Sequence, residues 1–356
     1  MNRELQAIIS GIKPVSREWR LQAREYLNQL AIPQGSLGEL LVLAEQLAAI
    51  KETIKPSVHK KAVITMAGDH GVVAEGVSAF PQEVTPQMVH NFVRGGAAVN
   101  VLAGVAGAQV FVVDMGVAAD LTDLAREEKI LSYRISKGTA NMAKGPAMTR
   151  AQAEQALQSG IEIVGNLVRD GVELLGTGDM GIGNTTPSSA ILAVFSGRPV
   201  REVTGRGTGI SDATLANKVR VIEQAIAINK PDPEDPVDVL AKVGGFEIGG
   251  IAGVILGAAY YRVPVVVDGF ISTAGALVAK ALAPAAVDYM IAAHRSQEYG
   301  HRFMLEELGL HPLLDLKLRL GEGTGAALAM NIVEAAAQVI SKMLTFEAAG
   351  VSGAEA

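Results

Sequence analysis

A chain of 356 residues with a net charge of −6, 49% hydrophobic and 19% charged residues can fill one large core or two modest ones, and it offers no basic face for nucleic acid. The absence of cysteine excludes disulfides and thiol chemistry, while 39 glycines against 4% aromatics suit helices packed closely on a sheet with many glycine turns.

The opening "MNRELQAIISGIKPVSREWR" carries charges every few residues and no long apolar stretch, so no signal peptide is read in it and a cytoplasmic location is the expectation. The first segment, to about residue 60, reads as helices, with Ser36 and Glu39 in capping-box spacing before "LLVLAEQLAAI". Three apolar runs then end in acidic turns: "KAVITMAGDHG" (61–71), "AQVFVVDMG" (108–116) and "PVVVDG" (264–269). Such runs, separated by helical stretches, predict a buried parallel sheet, and ligands of such sheets sit beyond the carboxyl ends of the strands, where Asp69, Asp114 and Asp268 fall. "MTRAQAEQALQSGIEIVGNLV" predicts a long helix with Thr149 and Gln152 as a second capping box. "NKPDPEDPVD" (229–238) reads as a surface loop and a plausible hinge. "IGGIAGVILGAAYY", Ile248 to Tyr261, is too short to span a bilayer and reads as a buried helix leading into a buried strand. Past Met330, "NIVEAAAQVISKML" predicts another helix, followed by a Gly/Ala tail.

"GTGDMG", Gly176 to Gly181, matches the dinucleotide pattern G-x-G-x-x-G after a strand-like "VELL", and Glu202 lies about 20 residues on. Against that reading, the glycines continue as "GIGNTTPSSAILAVF", which puts the helix start near Thr185 or Thr186, and Glu202 lies in a polar connector. A single phosphate asks for less, namely a few unpaired N–H groups at a helix start. "GIGNTT" offers them through Gly181, Ile182, Gly183 and Asn184, and "TGRGTG" (204–209) offers a second loop before the helix carrying Lys218. The alternative is two ordinary turns and a surface lysine. Histidines stand at 59, 70, 90, 294, 301 and 311 with no metal-site spacing, so structural or substrate-bonding roles are expected and no metal. His294 and His301 would share a face if their segment were helical. "VVVDGFISTAGA" lacks the paired acids that grip a magnesium–pyrophosphate. "LRLGEGTGAALAM" sets Glu322 between Gly321 and Gly323, where an acid is held rather than merely solvated.

Taken in order, "IPQGSLGEL", "AGDHGVVAEGVSAFPQEVTPQMV", "GTANMAKGPAMT", "GDMGIGNTTPSSAI", "GRGTGI", "VVVDGFISTAGAL", "AHRSQEYGH" and "LRLGEGTGAALAM" closely resemble the nicotinate-nucleotide–dimethylbenzimidazole phosphoribosyltransferase family, from about Ile32 to Met330. The resemblance implies an α/β fold with a Rossmann-like parallel sheet flanked by helices and a homodimer. It also implies a small helical domain built from both chain ends, so that residues 1–58 and 301–356 would flank a large domain of 59–300. It implies transfer of the phosphoribosyl group of nicotinate mononucleotide to 5,6-dimethylbenzimidazole, with no cofactor, nucleic acid or membrane involved. Glu322 matches the family's general base, and Gly181, Gly207, Gly209 and Lys218 match its phosphate contacts. Ser296 matches a serine near the nicotinate, and Ala79, Phe80, Gln87 and Leu320 match the base pocket. Relatives carry serine and tyrosine at 79 and 80, so a more apolar pocket is expected here. Asp179 stands where glutamate is expected and reaches about one methylene less far. Nicotinate bound through its ring nitrogen is a pyridinium, and its departure neutralises that nitrogen without magnesium. Two rival readings stay open at this point: a nicotinamide-dependent oxidoreductase on Gly176, Gly178 and Gly181, and a nucleotide-binding protein without catalysis.

Overall fold

The computed structural model describes residues 1–207 and 209–352, so the second glycine loop is described except at position 208, and the end of the Gly/Ala tail lies outside the described residues. In chain order the helices are α1 (Arg3–Gly11), α2 (Arg17–Leu27) and α3 (Glu39–Lys51), then strand β1 (Lys61–Gly68), α4 (Val84–Val93), α5 (Ala98–Ala106) and β2 (Ala108–Gly116). A short α6 (Thr122–Arg126) and β3 (Leu131–Ser132) precede α7 (Arg150–Arg169), β4 (Leu174–Met180), α8 (Thr185–Ser196), α9 (Val200–Val203), α10 (Asp212–Asn229), α11 (Pro236–Val243) and α12 (Phe246–Tyr260). The chain ends with β5 (Val265–Val267), α13 (Phe270–Leu282), β6 (Met290–Ala292), α14 (His301–Leu308), α15 (Thr324–Lys342) and α16 (Phe346–Ala349).

The six strands form one sheet in the order β3-β2-β1-β4-β5-β6, and every pairing is parallel. The chain runs outward from β1 in one direction, then returns to lay β4 on its other side. That reversal opens a crevice at the carboxyl ends of β1 and β4, the place where doubly wound sheets bind ligands. β1 is buried on both faces, which is why it reads as an unbroken apolar run. Its alternate side chains serve two cores. Ala62, Ile64 and Met66 face the layer of α7, α12 and α13, whereas Val63 and Ala67 face α2, α3, α5 and α15.

The run at 248–261 forms α12, buried along almost its whole length, and no helix among the described residues is long and apolar enough to cross a membrane. Its glycines let it lie against α7 almost backbone to backbone: a Cβ on Gly160 would stand 2.1 Å from the Gly250 carbonyl oxygen. The two chain ends meet on the opposite face, where α2 and α3 pack on α15 and Leu30 bridges to Thr345. α1 lies on the other side, against α12 and α7.

The expected capping box at Thr149 is present on α7. The one at Ser36 is not: α3 starts at Glu39 from Gly38, whose φ of 49° leaves no side-chain cap. "GTGDMG" departs from the dinucleotide pattern for a simple reason. Gly176, Thr177 and Gly178 lie inside β4 and pair with Val63, Ile64 and Thr65 of β1, so they are strand residues and make no phosphate-binding turn. α15 starts at Thr324, directly after the "GEG" turn and earlier than the sequence reading placed it.

Candidate active site

Glu322 is held from below by its own backbone. A Cβ on Gly178 would lie 2.2 Å from the Glu322 carbonyl oxygen and 2.9 Å from the Gly323 nitrogen, so the turn rests directly on β4. Thr65 Oγ1, from β1, donates to that same carbonyl at 2.9 Å. Asp268, at the end of β5, accepts the Gly323 N–H at 3.2 Å and the Ala326 N–H at 3.0 Å, capping α15 from another strand. Such a cap stabilises a helix start by about 1 kcal/mol. The turn needs this support, because Gly321, Glu322 and Gly323 have successive positive φ values of 86°, 65° and 99°. For the glutamate this backbone costs on the order of 1–3 kcal/mol.

The result is a carboxylate presented to a cavity of about 470 Å³ at the mouth of the sheet. Glu322 is 6% exposed, and its Oε2 accepts the Val99 N–H at 3.3 Å. Burial raises its pKa above the ordinary glutamate value against that hydrogen bond, and the Asp268 charge adds to the rise. The neighbouring wall is apolar, built by Phe80, Val84, Met88, Ile182 and Leu320. Phe80 and Leu320 are half-exposed at the rim, at 52% and 59%. Ala79 and Gln87 are exposed and do not line this cavity, whereas Val84 and Met88, one turn apart on α4, do. Asp179, on β4, accepts from Asn184 Nδ2 at 2.9 Å through Oδ2, while Oδ1 has no hydrogen-bond partner among the described residues. Burial and the nearby Asp268 carboxylate push its pKa well above the ordinary aspartate value.

At the other end the cavity meets two glycine loops. α8 starts at Thr185, and Gly181, Ile182 and Asn184 line the cavity just before it. The Ile182 N–H is already donated to Thr85 Oγ1, and Gly183 turns with a φ of 87° beneath Val73. Gly207 borders both this cavity and a second one of about 430 Å³ that also reaches Gly209. Lys218 is not a surface lysine. It is 1% exposed and lies beneath both loops, its Nζ donating to Thr185 Oγ1 at 2.6 Å and to the Gly205 carbonyl at 3.5 Å. Burial lowers its pKa to about 8, although the Glu298 carboxylate favours the charge. Glu298, absent from the sequence reading, accepts the Gly207 N–H at 3.3 Å, and Arg319 donates to the Gly207 carbonyl at 3.4 Å.

The segment after β6 is not helical before His301, so the two histidines do not share a helix face. They meet nonetheless, with ring centroids 6.2 Å apart. His301 is structural. Burial, then the nearby His294 ring and Arg295, lower its pKa to about 3, so the ring is neutral. Its Nδ1 accepts the Ser296 N–H at 2.9 Å, which leaves Nε2–H to donate to Thr273 Oγ1 at 2.9 Å. Thr273 in turn donates to the Gly269 carbonyl at 2.7 Å. This chain of bonds fixes Ser296 and Gly269 on the cavity wall.

Of the strand-end acids, Asp114 turns back to accept the Gly116 and Val117 N–H groups, and Asp69 accepts that of Ala118. His70, fully buried, pairs with Glu247 at 2.7 Å under Gly181. Burial opposes its charge, but the Glu247 carboxylate prevails and the pKa rises.

Comparison with known proteins agrees with this architecture. A family model described as Phosphoribosyltransferase (DBI_PRT) matches residues 12–351. The chain is 58% identical over 348 residues to the nicotinate-nucleotide–dimethylbenzimidazole phosphoribosyltransferase of Geobacter sulfurreducens, covering 98% of each protein. It is 57% identical over 351 residues to the protein of the same name from Geotalea uraniireducens, covering 99% of each. The crystal structure of CobT from Thermus thermophilus superposes with a TM-score of 0.90 at 48% identity, covering 94% of this chain and 99% of that one. Motifs, sheet order and overall likeness together mean that the chain belongs to the nicotinate-nucleotide–dimethylbenzimidazole phosphoribosyltransferase family.

Proposed function

We propose that this enzyme transfers the phosphoribosyl group of nicotinate mononucleotide to 5,6-dimethylbenzimidazole or a related base. The products are nicotinate and α-ribazole 5′-phosphate, formed with inversion at C1′ for the lower ligand of cobalamin. The names of its relatives supply the substrates. The observation that carries the mechanism is Glu322, a desolvated carboxylate beside an apolar wall and opposite two glycine loops.

In this reading a neutral ring nitrogen of the base attacks C1′ while the bond from C1′ to the nicotinate nitrogen breaks. The electron pair of that bond neutralises the pyridinium. As the new bond forms, the N–H on the far side of the base becomes acidic, and Glu322 takes the proton. General-base transfer of this kind is worth roughly 10²–10⁴ in rate. Gly181, Gly207, Gly209 and Lys218 hold the 5′-phosphate and so fix the ribose, while Ile182, anchored to Thr85, and Gly183 and Asn184 shape the substrate-binding loop beside it. Ser296 contacts the nicotinate. Asp179, with one oxygen unpartnered among the described residues, contacts the substrate, and Phe80 and Leu320 frame the base with Val84 and Met88, while Ala79 and Gln87 stand outside the cavity.

The enzyme works as a cytoplasmic homodimer in this account, with a large domain at 59–300 and a small one made of 1–58 and 301–356. Packing of α2 and α3 on α15 supports joining the two ends, whereas α1 and α14 pack on helices of the large domain. The test is incubation of the purified protein with nicotinate mononucleotide and dimethylbenzimidazole without added metal. Accumulation of α-ribazole phosphate is expected; absence of product rejects the reading, and a β-configured product rejects inversion.

A further inference from the structure

We propose that His294 is a specificity-determining residue that donates a hydrogen bond to the carboxylate of the departing aromatic acid, and so selects an acid nucleotide over its amide counterpart. This rests on the phosphoribosyl-transfer reading above and assigns one further contact within that site.

Three observations point to a ligand. First, His294 is 1% exposed yet borders the main cavity, and neither ring nitrogen has a hydrogen-bond partner among the described residues. Orphaned buried polar atoms are costly, on the order of 1–3 kcal/mol each, and in a binding site a ligand commonly supplies the missing bond. His301 makes the contrast clear: both of its nitrogens are bonded within the protein.

Second, the ring is wedged in place. A Cβ on Gly325 would lie 2.0 Å from His294 Cδ2, and one on Gly269 would lie 3.2 Å from Nε2 and 3.9 Å from the Ser296 Cβ. Both positions are glycine, so the imidazole fits a slot between α15 and α13 and cannot simply swing away. Asp268 stands behind it, with Oδ1 3.6 Å from Nε2. Both Asp268 oxygens are engaged by the Gly323 and Ala326 N–H groups, so it is the two close glycine contacts that hold the ring.

Third, the charges of the cavity leave His294 a distinct task. The substrate carries two anionic groups, a phosphate and the carboxylate of the leaving acid, while Glu298 and Glu322 place carboxyl groups on the walls. Among the described cavity-lining residues Arg319 carries the cationic side chain, and His294 adds a ring N–H donor. Arg319, bonded to the Gly207 carbonyl, and Lys218 beneath that loop belong to the phosphate end. The second anion is left to His294. A buried donor at this point discriminates strongly, because the amide counterpart offers a weaker, neutral acceptor.

The experiment compares kcat/KM for nicotinate mononucleotide and nicotinamide mononucleotide, with dimethylbenzimidazole as acceptor, in the full-length protein and in His294→Ala and His294→Leu. Leucine fills the slot but cannot donate. The wild-type enzyme is expected to prefer the acid nucleotide, and either variant to lower that preference at least about tenfold, mainly by losing activity on the acid. An unchanged ratio in a variant that melts like the wild type, or equal losses on both substrates, overturns the proposal. For the case in which neither variant folds, wild-type protein with ¹⁵N-labelled histidine is titrated with nicotinate and with nicotinamide. One of the six histidine rings should shift with nicotinate only, and no shift in any of them overturns the proposal. A wild-type protein that makes no α-ribazole phosphate at all rejects the underlying reading instead, a result distinct from an unchanged preference.

Discussion

Gly178→Ala tests how Glu322 is held without touching its side chain. The new methyl would stand 2.2 Å from the Glu322 carbonyl oxygen, 2.7 Å from its carbonyl carbon and 2.9 Å from the Gly323 nitrogen. All three are backbone atoms, so no side-chain tip can move aside. Ordinary carbon contacts begin near 3.5 Å, so the turn must lift by about 1 Å. Lifting it strains the Thr65 bond to Glu322 and the Asp268 cap on α15, and overpacking of this kind costs roughly 1–3 kcal/mol of stability. A misplacement of about 1 Å in a reacting group can cost about 10²-fold in rate. The expected phenotype is therefore a folded protein of lower melting temperature with kcat down by about two orders of magnitude. Nucleotide affinity should change less than kcat, because the added methyl meets the Glu322 turn and not the loop 181–184 that follows β4. Steady-state transfer kinetics and calorimetry measure all three. Gly104→Ala is the control: a Cβ there meets nothing within 4 Å in the interior of α5, and alanine should stabilise the helix by up to about 1 kcal/mol without altering turnover. A Gly178→Ala enzyme with wild-type kcat would refute the idea that close contact between β4 and the turn sets the position of the base.

Lys218→Ala should weaken nucleotide binding about tenfold or more while changing kcat less, since a charge-assisted hydrogen bond is lost; an unaltered dissociation constant counts against the grip. With its pKa lowered to about 8, Lys218 loses its proton in the free protein as pH rises through that value, whereas a bound phosphate favours the charged form. Affinity should therefore fall above about pH 8, with proton uptake on binding visible as a buffer-dependent calorimetric enthalpy; pH-independent affinity to about pH 9 would contradict this. Glu322 must be ionised to accept a proton, and its pKa is raised. Turnover should decline on the acid side with a midpoint above the ordinary glutamate value, and a limb at or below that value would contradict the burial argument.

Much of this molecule is legible in its sequence because burial leaves a one-dimensional trace. Apolar runs ending in acids gave β1, β2 and β5, Thr149 with Gln152 marked the start of α7, and the glycines before Thr185 marked the start of α8. What stayed hidden depends on what comes across from elsewhere in the chain. Gly176 and Gly178 look like a phosphate turn until α15 lies on them, since glycine serves a close approach and a turn equally well. Ser36 has the right spacing for a cap, but Gly38 bends the chain away from it. Nothing along α10 distinguishes Lys218 from a solvated lysine, because its burial comes from the loop 204–207 and from Thr185. His294 and His301 lie close together with opposite hydrogen-bonding fates, which only the positions of Thr273, Ser296 and Asp268 decide. Within the site, the resemblance supplied Glu322 and the glycine loops, while Val84, Met88, Glu298 and Arg319 appear only once α4 and the segments around β6 fold over the crevice.

Replacing Glu322 by glutamine tests the central claim most directly, since it keeps the shape of the turn and removes the proton acceptor. Turnover of nicotinate mononucleotide with dimethylbenzimidazole should fall at least about tenfold while the nucleotide dissociation constant stays near that of the wild type. An unchanged turnover in the folded Glu322→Gln enzyme would remove this carboxylate from the chemistry.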